Sequence, residues 1–118
     1  MAATGLFADA WQSVVTALSD AGLVVVTDPR NVRPLSVFVE LPTATAFNSN
    51  VLDVTIVCRI LAAPPGNLDA ANYLLTTADS IHELTTLAVT DCRPSAALIG
   101  DQSIPAYDLT VRVQARRN

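Results

Sequence analysis

Residues 51–61 alternate without a break. Leu52, Val54, Ile56, Cys58 and Ile60 fall on one side, and Val51, Asp53, Thr55, Val57, Arg59 and Leu61 on the other. Side chains of a strand point alternately to opposite faces. Eleven residues of period two therefore predict a strand well beyond the average of about 5–6 residues. One of its faces is wholly apolar and the other mixed, so the sheet it belongs to needs an apolar cover on one side only. Ala62-Ala63-Pro64-Pro65-Gly66-Asn67 stops the run, because proline and glycine break both the ladder and the backbone geometry.

Two segments have the period of a covering helix. Phe7, Trp11, Val14 and Leu18 recur at i, i+4, i+7 and i+11, flanked by Ala10 and Val15, with Thr4 placed to cap the start and Gly22 to supply a left-handed stop. The second helix opens on Asn67 as N-cap with Asp69 in its first turn, where the helix dipole favours a negative charge. Its apolar stripe is Leu68, Ala71, Leu74, Leu75, Ala78 and Ile81, and it fades over residues 83–86.

Shorter strands are expected at 23–27, 35–41 and 86–93, the last of these with Leu87 and Val89 inward. A final strand turns Tyr107, Leu109, Val111 and Val113 inward and Asp108, Thr110, Arg112 and Gln114 outward. Residues 28–34, with two prolines, form a connector. Residues 43–50, uncharged with Phe47 the only large side chain, are expected to be a loop, and residues 94–103 a turn-rich link. The resulting order is α-β-β-β-α-β-β. It predicts a two-layer α+β fold with a mostly antiparallel sheet and both helices on one face, spanning residues 1–118 as one domain.

Charge and glycine spacing narrow the chemistry. Seven arginines, no lysine and eleven acids give a net charge of −4, the wrong sign for neutralising a phosphate backbone; no sequence-specific nucleic acid is expected. Residues 1–9 lack the basic start of a signal peptide, and no apolar run reaches the ~18–20 residues of a membrane span, so no membrane partner is expected. Cys58 and Cys92 form no CxxC pair and read as reduced, buried thiols, Cys58 pointing into the apolar face.

Gly5, Gly22, Gly66 and Gly100 are nowhere closer than 17 residues, so no glycine-rich phosphate cradle can form. His82-Glu83 begins a zincin motif, but Thr86 stands where the second histidine must be. No serine is placed as an activated nucleophile. The expectation is a protein without catalytic, cofactor-binding or metal-binding residues. Trp11 reads as a core residue, and Arg116-Arg117 as a solvated end. Only 15% of residues are charged while 51% are hydrophobic and twelve are threonine. A surface that neutral loses little hydration on being covered, which suits an interface core.

The order of features resembles the small tail terminator (tail completion) proteins of long-tailed, non-contractile phages, especially those infecting actinobacteria. The resemblance rests on the N-terminal helix and strand, then Asp28-Pro29-Arg30-Asn31 before the 35–41 strand. The long strand running into Ala62-Ala63-Pro64-Pro65-Gly66-Asn67 and a helix at Leu68-Asp69-Ala70 continues it. Ile104-Pro105-Ala106-Tyr107-Asp108-Leu109-Thr110-Val111 completes it as the closing strand. The absence of lysine fits a GC-rich coding sequence.

The resemblance implies a virion structural protein at the head-proximal end of the tail, assembled in the host cytoplasm. Copies of it would form a ring, usually a hexamer, that sits on the major tail tube protein, stops its polymerisation and meets a head–tail connector protein. It implies no catalytic residue and no cofactor. From expected exposure, the candidate subunit contacts are Phe47, Asp53, Thr55, Arg59 and Arg112, with a pair between Asp53 or Asp108 and an arginine of the next subunit. The alternatives are another neck, connector or minor tail protein, or a small ligand-binding or enzymatic α+β domain.

Overall fold

In the computed structural model, which describes residues 5–48, 50–62, 68–84, 87–99 and 102–116, the alternating run is strand β4 (Val51–Leu61). It lies inside a sheet. The elements before it are helix α1 (Leu6–Asp20), β1 (Val25–Val26), a 3-10 turn at Pro29–Asn31, β2 (Ser36–Val39) and β3 (Thr43–Asn48). Those after it are helix α2 (Leu68–His82), β5 (Ala88–Ile99) and β6 (Gln102–Arg116).

The six-stranded sheet has the order β1-β2-β4-β6-β5, with β3 paired to β4 beside β2. Only β1–β2 is parallel; β2, β3 and β6 all run antiparallel to β4, and β5 antiparallel to β6. The fold is α+β, and its order among the described residues, α-β-β-β-β-α-β-β, carries one strand more than expected.

The extra strand is β3, where a loop was expected. Residues 43–48 pair with β4 from Thr43↔Thr55 to Asn48↔Val51, with an irregularity between Ala46 and Asn48. Thr43, Thr45, Ala46 and Asn48 are exposed, so no buried face imposes alternation; main-chain hydrogen bonding to β4 makes the strand. The expected link at 94–103 is also corrected. Both strands run on through it, from Pro94↔Tyr107 to Ile99↔Gln102. Pro94 is tolerated because β5 is the last strand of the sheet, where a missing N–H need not break a ladder. The strands expected at 23–27 and 35–41 shorten to Val25–Val26 and Ser36–Val39.

The core lies between the apolar face of the sheet and the two helices. Leu52, Val54, Ile56, Cys58 and Ile60 of β4, with Leu109 and Val111 of β6, form one buried cluster with residues from both helices. The helix faces differ from the expected stripes. α1 buries Leu6, Ala10, Val14 and Leu18 and leaves Phe7 54% exposed. α2 buries Ala70, Leu74, Thr77 and Ile81 and leaves Leu68 and Leu75 exposed.

Trp11 explains the rotation of α1. Its indole Nε1–H donates to the Glu40 carbonyl at 2.9 Å. A tryptophan needs an acceptor for its polar edge, so it packs at the margin of the core, while Leu6 and Ala10 turn inward beside the fully buried Val14 and Leu18. At the other end, Gly22 adopts φ +87°. Its N–H donates to the Ser19 carbonyl and that of Leu23 to Leu18, the paired bonds of a left-handed helix stop. Thr4 and Asn67, the expected caps, lie outside the described residues.

Candidate interaction surface

The β4–β6 register sets the chemistry of the face turned away from the helices, which is itself buried at one end, around Leu61, Ile104 and Ala106. Arg59 stands opposite Asp108 and Thr55 opposite Arg112. Arg59 grips Asp108 with both ends of its fork, Nε–Oδ1 at 2.8 Å and the second nitrogen to Oδ2 at 3.3 Å. Glu40, one residue past β2, approaches Arg59 from the other side at 3.8 Å. Ser95 of β5 donates its hydroxyl to Asp108 at 3.0 Å. A polar row, Glu40–Arg59–Asp108–Ser95, thus crosses the sheet. Arg112 reaches diagonally to Asp53, Nε–Oδ1 at 2.7 Å with a second bond to Oδ2.

Each aspartate expected to meet an arginine of a neighbouring subunit is therefore held by an arginine of its own chain. Asp53, Thr55, Arg59, Asp108 and Arg112 share one face, Thr55 half-buried among the others. Phe47 lies in β3 and its side chain lies outside the described residues. Glu40 and Ser95 were not anticipated; only the pairing of four strands brings them to this row.

The ion pairs leave a pH signature. Hydrogen bonding to Arg112 holds the Asp53 carboxyl below its ordinary range, against a smaller opposing effect of burial. A depressed carboxylate contributes stability above its unfolded pKa of about 3.9 and loses that contribution as pH falls through its lower folded value. The Asp53→Asn variant is expected to lose stability less steeply between about pH 4 and pH 2 than the parent chain, read from circular-dichroism melts across that range. Identical acid limbs would remove Asp53 from the account.

Burial, aided by the charge of Glu40, pushes the Cys58 thiol up to about 12; Cys92, expected to be buried too, is exposed because β5 is the last strand of the sheet, and both cysteines are free. A thiolate, not a thiol, attacks a disulfide reagent. One thiol per folded chain, Cys92, is expected to react within minutes at pH 8 with an aromatic disulfide, and two in denaturant. Fast reaction of both in the folded chain would contradict the burial of Cys58.

His82 is exposed at the end of α2. No group of three or more His, Cys, Asp or Glu residues among the described ones is placed to hold a metal ion. An open groove of about 690 Å³ runs along α1 to Leu84, lined by Asp9, Gln12, Ser13 and Asp20; the Ser13 hydroxyl is bonded to the Ala10 carbonyl at 2.7 Å. No helix among the described residues is long and apolar enough to cross a membrane.

What the surface does carry is uncovered apolar bulk. Phe7, Val24, Leu35, Leu41, Leu68, Leu75 and Leu98 are all about half exposed or more, Leu41 reaching 80%. Among the described residues, meanwhile, four arginines are paired with acids of the same chain. No protein-family model matches the sequence, and a search of curated proteins finds no match.

Proposed function

We propose that this chain is a virion structural protein of the tail-terminator kind. Copies of it form a ring, of six in the reading the sequence resemblance supports, at the head-proximal end of a phage tail. One annular face of the ring fits the last layer of the major tail tube protein. The other face refuses a further tube subunit and receives a head–tail connector protein. The mechanism is steric, with no substrate and no cofactor, and assembly takes place in the host cytoplasm. A head-to-tail contact whose rotation closes after a fixed number of copies gives a finite ring.

The observation that supports this reading best is the surface. Among the described residues, seven large apolar side chains stand about half exposed or more, on a chain with only 15% charged residues. A monomer that stays alone in water gains from charge on its surface, whereas a subunit that ends among its own copies gains from its absence.

Sedimentation velocity over a range of concentrations, with negative-stain microscopy of the heaviest species, tests the proposal. Closed rings of one size are expected. A chain that stays monomeric throughout and turns over a small molecule would place it among the enzymes instead.

A further inference from the structure

The sheet ends in two edges that differ in kind. On one side lies β5, and on the other the stepped edge formed by β1 and β3. Natural proteins guard exposed edges with charges, prolines and bulges, because a row of unpaired N–H and C=O groups invites another strand. β5 has such guards in its first half, Asp91, Arg93 and Pro94, yet Ser95-Ala96-Ala97-Leu98-Ile99 carries none. β3, Thr43-Ala44-Thr45-Ala46-Phe47-Asn48, has no charge at all.

Both edges are rimmed by uncovered apolar side chains: Leu98 (75% exposed) on β5, and on the stepped side Leu41 (80%) between β2 and β3, with Val24 just before β1. Strand direction favours the match. β3 runs against β4, β1 runs with β2 against β4, and β5 runs with β4. A second copy set alongside in the same orientation therefore offers β5 an antiparallel neighbour, the slightly more stable pairing.

Resting on the ring reading above, we propose that these two edges are the two halves of one head-to-tail contact between copies of this chain. The β5 edge of one copy lies against the β1–β3 edge of the next, shifted along the strands so that Leu98, level with the chain beyond Leu61, meets Leu41, level with the middle of β4, at the seam. A contact of β5 with β5 about a twofold axis would leave the stepped edge and Leu41 uncovered on every copy. The head-to-tail contact covers both edges at every copy.

Charge placed at the seam tests this. Leu98→Asp and Leu41→Arg alter exposed side chains, and circular dichroism confirms that each variant is folded. In the purified full chain, each single variant is expected to raise the concentration at half-assembly by about tenfold or more. The double variant, which sets Asp against Arg at every seam, is expected to return to within about threefold of the parent. Assembly lost in L98D but unchanged in L41R would point to a twofold β5 contact and overturn the proposal. Rings that persist in both single variants would overturn it while leaving the ring itself standing. A parent chain that never assembles would remove both.

Discussion

Replacing Ile56 with alanine is expected to lower the stability of the fold by about 3–4 kcal/mol, within the span seen when large aliphatic side chains are cut back in well-packed cores. Ile56 is fully buried at the middle of β4, opposite Val111 of β6, and belongs to the cluster that both helices cover. With a rigid strand beneath and two helices above, the site has little room to collapse around the lost atoms. Against a total stability of about 5–15 kcal/mol for a domain, this is a large share. It corresponds to a fall of roughly 10–20 °C in Tm. Val57, the next residue, is half-buried on the opposite face, and Val57→Ala is expected to cost less than about 1 kcal/mol. Urea unfolding of the two variants checks the asymmetry. Equal losses would contradict a strand whose middle is packed by the helices on one side only.

The second large effect is expected from Arg59→Glu. The Arg59 side chain is only 30% exposed, between Asp108 at 23% and Glu40 at 35%. Reversal puts three carboxylates in one shielded patch. A surface pair is worth about 1 kcal/mol at most, while breaking a fully buried one costs 3–5 kcal/mol; this half-shielded row falls between, at about 2–3 kcal/mol. Adding Asp108→Arg is expected to recover part of the loss, as a double-mutant cycle in urea measures. Strictly additive losses would mean the two side chains do not interact. Because the pair lies within one chain, a ring lost in Arg59→Glu bears on subunit contact only where melting shows the subunit intact.

What could be read from residues alone divides along a physical line. β4 and the inner side of β6 were legible because a buried face imposes period two on Leu52 through Ile60 and on Leu109 and Val111. β3 was not, since its exposed threonines and alanines obey no such constraint and owe their conformation to hydrogen bonds with a strand they follow. Residues 94–103 look like a turn-rich link because of Pro94 and the Gly100-Asp101 pair, yet at Pro94 an edge position removes the penalty that makes proline a breaker. The helix stripes were misplaced because α1 and α2 each carry more apolar residues than one face can bury. Leu6 rather than Phe7 turns inward, on a helix whose Trp11 indole donates to the Glu40 carbonyl. Parity alone turns Asp53, Thr55, Arg59, Asp108 and Arg112 away from the helices, but their partners depended on the β4–β6 register, which no local pattern encodes.

That indole has a practical consequence. Trp11 is the only tryptophan in the chain, and its hydrogen bond to the Glu40 carbonyl spans 29 residues, tying α1 to the end of β2. Its fluorescence therefore reports a single event, the seating of the first helix on the sheet. A red shift in emission that precedes the loss of far-ultraviolet ellipticity would time the detachment of that helix, with no label added to the protein.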